Sequence, residues 1–157
     1  MFSYEQPGAY QKTMDNIKIF ILDDDETNNE LEIMIMQSIG ISNIDVRTSG
    51  KEALRYLDDC KEKNNFPAIM FVDLNMPGMH GFSFIKLYEE NYRNFSPHTR
   101  IIMLSNSILE NEKKEALKHE SVLDFWSKPL KAGKLQEAIA KIKSINEEIV
   151  GWEDLKM

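Results

Sequence analysis

Short apolar runs and helically spaced apolar positions alternate five times along this chain. Residues 17–22, Ile-Lys-Ile-Phe-Ile-Leu, are nearly continuously apolar, the pattern of a central strand covered on both faces, and the run stops at Asp23, Asp24 and Asp25. Over about 27–39, Leu31, Met34, Ile35 and Ile39 recur at helical spacing, and Gly40 stands where a C-terminal cap belongs. Residues 43–48 read as a second strand. Ser49-Gly50-Lys51-Glu52 then has the S-x-x-E capping-box form, opening a helix with Ala53, Leu54 and Leu57 inward, which the polar residues 61–65 end. A third strand over 68–72 leads into Asp73, and Pro77, Gly78 and Gly81 punctuate the loop that follows. Phe82, Phe84, Ile85 and Tyr88 mark the next helix. A fourth strand over 99–104 ends at Ser105-Asn106-Ser107. The helix over 109–119 is charged, with a thin apolar side, and is expected to be the least firmly packed. A fifth strand over 122–126 ends at Ser127-Lys128-Pro129, and a last helix runs from 130 to about 150 with Leu135, Ile139, Ile142 and Ile149 on one face.

Five βα units in succession imply an α/β fold: a five-stranded parallel sheet with right-handed crossovers and helices on both faces. The domain is expected over 17–150, with a loose leader over 1–16 and a tail over 151–157. In such sheets the ligand site lies beyond the carboxyl ends of the strands, where the strand order reverses. Strand one ends there in Asp23, Asp24 and Asp25, strand three in Asp73, strand four in Ser105 and strand five in Lys128. A lone Asp after a strand more often starts a turn, and a Lys-Pro pair can be a plain surface turn. Four strand ends that all offer polar or charged groups are hard to explain by packing.

Composition narrows the classes of function. The chain has 157 residues, enough for one domain with a real core. Its 26 acidic residues against 19 basic ones leave a net charge of −7, which argues against direct nucleic-acid binding. The lysines at 128, 131, 134, 141 and 143 alternate with glutamates on a helical pattern, as on a solvated face. One cysteine, Cys60, in a helical segment, excludes an internal disulfide framework and fits a reducing, cytoplasmic setting. No apolar run is long enough to insert in a membrane, and the N-terminus lacks the pattern of a secretory signal.

Taken in order on five βα units, Ile21-Leu22-Asp23-Asp24-Asp25, Val72-Asp73-Leu74-Asn75-Met76-Pro77-Gly78-Met79, Met103-Leu104-Ser105 and Lys128-Pro129 resemble the receiver domain of bacterial two-component response regulators, over about 17–140. The resemblance implies the flavodoxin-like (βα)5 receiver fold, and it is nearest to small stand-alone receivers. It implies that Asp73 is the phosphoacceptor and that Asp24 and Asp73 bind Mg²⁺ directly. Asp23 would hold a coordinated water, and Asn75 would offer its backbone carbonyl. Lys128, aimed by a cis bond to Pro129, would meet the phosphoryl oxygens, and Ser105 would hydrogen-bond the phosphoryl group. Phe125 matches the switch aromatic that rotates inward when Ser105 moves; it reads nearly as well as a buried strand residue. The implied partners are a sensor histidine kinase or histidine phosphotransfer protein and a downstream protein target, with a homodimer left open. The implied role is that of a signalling phosphoacceptor, which catalyses only its own phosphotransfer and dephosphorylation.

The chain also departs from the family pattern. Asn106 stands where a small Ala or Gly is usual beside the phosphoryl site, and its bulk bears on access and phosphate lifetime. His80 replaces a common Asp; His80, His98 and His119 receive no role, and Asp25 is read as a solvated helix start. Two other classes compete: a phosphorylation-independent interaction module, for which only Asn106 speaks, and an aspartate-nucleophile phosphatase. The phosphatase pattern wants a second Asp where Asn75 stands, and a cap domain for which the chain is too short.

Overall fold

The computed structural model describes the backbone of residues 16–107 and 109–155, with side chains to residue 145. Its order is β1 (Lys18–Leu22), α1 (Glu26–Ser38), β2 (Asn43–Arg47), α2 (Gly50–Lys63), β3 (Ile69–Asp73), α3 (Gly81–Asn91), a 3-10 turn (Arg93–Phe95), β4 (Arg100–Ser105), α4 (Glu110–Leu117), β5 (Val122–Ser127) and α5 (Ala132–Leu155). The strands form one parallel sheet in the order β2-β1-β3-β4-β5, the flavodoxin-like arrangement expected. The order reverses between β1 and β3, so their carboxyl ends flank the switch point. The leader expected over 1–16 lies outside the described residues except for Asn16. Helix α5 continues past the expected end at 150 to Leu155, through most of the expected tail.

Strand alternation sorts the core into two layers. Phe20, Leu22, Met70, Val72, Ile101 and Met103 point to the face covered by α2, α3 and α4. Ile19, Ile21, Ile69, Phe71, Ile102 and Leu104 point to the face covered by α1 and α5. Strands β1 and β3 are buried on both sides, as their unbroken apolar runs require. Strand β5 carries an irregularity: Ile101 pairs with Val122 but Ile102 with Asp124, so Leu123 is an extra residue. Phe125 and Trp126 thereby lie opposite Met103 and Leu104, on opposite faces.

The helically spaced apolar residues of α1 do not all lie on its buried face. Ile35 and Ile39 pack against the core, but Leu31 is 44% and Met34 65% exposed, and the buried residues are Asn29, Glu32 and Met36. The first turns of α1 face the polar carboxyl end of the sheet rather than the apolar layer, so the inward positions there are polar. The helix stops as expected. Gly40, at φ 89°, donates to Gln37 O at 3.0 Å and Ile41 donates to Met36 O at 3.0 Å, the paired bonds of a Schellman cap.

Candidate functional site

Local structure delivers each polar group to the sheet's carboxyl edge. After β1 the chain turns at once, because the Asp25 side chain caps α1 by accepting from the Asn28 backbone N–H at 3.1 Å. That cap leaves Asp23 buried at the strand tip and Asp24 exposed beside it. Asp73 is the last residue of β3, and Leu74 N–H continues the ladder to Leu104 O at 3.1 Å. Gly81 lets α3 begin against this tip: a Cβ there would lie 2.6 Å from the Asp73 carbonyl oxygen and 2.9 Å from Leu74 Cα. Lys128 N–H donates to Ser105 O at 2.8 Å, and the Lys128–Pro129 bond is cis, as the sequence suggested.

These tips converge. Asp23, Asp24 and Asp73 each place one carboxylate oxygen within 4.8 Å of the others. The nearly buried Lys128 ammonium lies 2.7 Å from Asp23 Oδ2 and 3.3 Å from Asp73 Oδ1. Burial and the Asp23 charge push the Asp73 carboxyl up to about 6, although Lys128 and the Asn75 backbone N–H pull it down. Burial lowers the Lys128 ammonium, but its bonds and charge interactions with Asp23 and Asp73 outweigh that and hold it above its ordinary value. Three carboxylates grouped in this way are hard oxygen donors of the kind that suit Mg²⁺.

The remaining expected residues sit nearby in differing states. Ser105 is buried, and its Oγ donates to Ser107 O at 2.8 Å. Asn106 and Asn75 are exposed. Phe125 is 2% exposed and belongs to the core layer with Met103 and Ala116, so its ring is already inward in this structure.

The sequence reading missed several groups. Asn28 Nδ2 donates both to Asp23 Oδ2 and to Glu32 Oε1, each at 2.8 Å, and Asn29 Nδ2 donates to Asp23 O at 2.9 Å. Glu32 is fully buried, and burial pushes its carboxyl up to about 7 despite the Asn28 bond. The signal was there: polar residues at 28, 29 and 32 share one face of a helix that starts at the acidic strand end. His80 caps α3, its Nδ1 accepting from Phe82 N–H at 3.3 Å. His119 meets Glu89 at 2.6 Å, a partner thirty positions away that local spacing does not reveal.

Comparison with known proteins finds likenesses in sequence and in fold. The sequence model of the response regulator receiver domain matches residues 19–140. The chain is 28% identical over 125 residues to a hybrid signal transduction histidine kinase L of Dictyostelium discoideum, covering 79% of this chain but only 7% of that protein. A two component response regulator from Cytophaga hutchinsonii superposes with TM-score 0.77 at 26% identity, covering 81% of this chain and 96% of the other. A CheX-CheY-BeF3-Mg²⁺ complex from Borrelia burgdorferi gives a TM-score of 0.67 at 23% identity, covering 85% and 97%.

Proposed function

Because the chain belongs to the response regulator receiver domain family, we propose that Asp73 accepts a phosphoryl group from a sensor histidine kinase or histidine phosphotransfer protein and that the modified domain changes its affinity for a downstream protein. The observation that carries this reading is the meeting of Asp73 with two further carboxylates and the Lys128 ammonium at the switch point of the sheet.

The chemistry follows from the residues. An Asp73 carboxylate oxygen attacks phosphorus, the phosphorus–nitrogen bond of the donor breaks, and the imidazole leaves with the bonding pair. The product is an acyl phosphate, a mixed anhydride labile enough for a reversible signal. Lys128 then exchanges one of its carboxylate partners for a phosphoryl oxygen and meets it as a point charge. Ser105 turns its hydroxyl from Ser107 to the phosphoryl group, which draws the loop at 105–107 inward. Asp24, Asp73 and the Asn75 carbonyl would hold Mg²⁺, with Asp23 behind them; when bound, the ion offsets negative charge on the phosphoryl oxygens. The Mg²⁺ in the CheX-CheY-BeF3 complex, whose fold is like this one, supports this assignment.

The test is intact mass after incubation with Mg²⁺ and acetyl phosphate. A gain of one phosphoryl group by wild type and none by D73N is expected. Equal gain by both would place the acceptor elsewhere. No gain in either, together with no beryllofluoride binding, would favour a phosphorylation-independent interaction module.

A further inference from the structure

Glu32 is an expensive residue to bury. It is fully inaccessible, its Oε2 has no hydrogen-bond partner among the described residues, and a leucine of similar size would avoid both costs. Among the described residues its side chain makes one hydrogen bond: Oε1 accepts one N–H of the Asn28 side-chain amide at 2.8 Å. The other N–H of that amide donates to Asp23 Oδ2 at 2.8 Å. An amide with both protons engaged is fixed in its plane, so Glu32 determines where Asn28 points its second proton.

The consequence appears when Lys128 is taken into account. In this structure Asp23 Oδ2 accepts from both Lys128 and Asn28, while Oδ1 accepts from the Asp25 backbone N–H at 2.9 Å. Lys128 is shared with Asp73, at 3.3 Å, so Asn28 is the donor that fixes Oδ2 from the α1 side. We propose that Glu32 is a positioning residue which, through Asn28, holds the Asp23 carboxylate in place for cation binding at the Asp23–Asp24–Asp73 cluster; this rests on the receiver reading given above. The role is that of a hydrogen-bond acceptor. A carboxyl oxygen can fill it whether Glu32 is charged or neutral, and so can a glutamine amide oxygen.

The test is calorimetric titration of the metal-free protein with MgCl2, beside thermal unfolding without metal. E32L is expected to bind Mg²⁺ several-fold more weakly while unfolding at an equal or higher temperature, two changes that a purely structural role would not pair. E32Q is expected to bind as wild type does. N28A/E32L is expected to bind no more weakly than N28A, because both substitutions break the same chain of bonds. If E32L does not fold, E32M makes the same test with a more adaptable side chain. The Asn28 side-chain amide protons, followed by NMR without metal, should lose exchange protection in E32L and keep it in E32Q.

Wild-type Mg²⁺ affinity in E32L, or additive losses in N28A/E32L, would overturn the inference alone. Equal losses in E32Q and E32L would also overturn it, in favour of a charge effect. Absence of Mg²⁺ binding by wild type would overturn the receiver reading and this inference with it.

Discussion

Glu32 also controls how stability depends on pH. Its folded value of about 7 stands above the ordinary 4.5, because burial and the charges of Asp23 and Asp73 outweigh the Asn28 bond and Lys128. The folded protein therefore holds this proton more tightly than the unfolded chain does. That contribution is complete below pH 4.5 and is lost as pH rises through about 7. Asp73, raised from 3.8 to about 6, acts with the same sign in a lower window. In metal-free protein, urea unfolding across this range should show wild type losing on the order of 3 kcal/mol relative to E32Q. A constant difference between the two would contradict the assignment. At this scale Asp23, Asp24, Asp73, Ser105 and Lys128 were legible because each ends an apolar run, where packing supplies no reason for a polar group. Glu32 showed only the polar spacing it shares with Asn28 and Asn29; its burial is set by strand tips and by Lys128, 96 positions further along the chain.

Helix α1 shows how one element can mislead. Its apolar residues recur at helical spacing, yet two of them, Leu31 and Met34, face solvent. A helix that begins over a polar site and ends over an apolar core changes the chemistry of its inner face along its length, and a single periodicity cannot express that. The α2 start was read more nearly. Ser49 Oγ accepts from Glu52 N–H at 3.2 Å as the capping box requires, but the Glu52 carboxylate turns to the Thr48 hydroxyl instead of the Ser49 N–H. The α3 start depends on Gly81, where an added methyl meets the backbone that carries Asp73. G81A should lower stability by about 1–3 kcal/mol in urea unfolding and slow phosphoryl uptake from acetyl phosphate, since the Asp73–Leu74 peptide must shift. Unchanged uptake with unchanged stability would show that α3 can retreat without disturbing the site.

Across the whole molecule, alternation of strands and helices was enough to give the sheet, its faces and the edge where the site lies. The helices α1 and α5 on one face and α2, α3 and α4 on the other follow from the reversal of strand order at β1 and β3. The extra residue in β5 had no sequence signature, since Leu123 fits a regular strand as well as an irregular one. The fold gathers Asp23, Asp24 and Asp73 into one cluster with a single lysine against Asp23 and Asp73, a grouping whose repulsion a divalent cation would relieve. Mg²⁺ should therefore raise the unfolding temperature, with a stabilisation of about 2.7 kcal/mol at a concentration a hundredfold above Kd, and chelation should reverse it. In D24A the rise should largely vanish; an undiminished rise would place the ion elsewhere.

Phosphorylation of Asp73 forms a single covalent bond, and borohydride reads it directly by reducing an aspartyl phosphate to homoserine. Wild type treated with acetyl phosphate and Mg²⁺, then with borohydride, should yield homoserine at position 73 and nowhere else when its peptides are sequenced by mass spectrometry. Homoserine at position 23 or 24, or none at all in protein that binds Mg²⁺, would contradict the account of Asp73 as the phosphoacceptor.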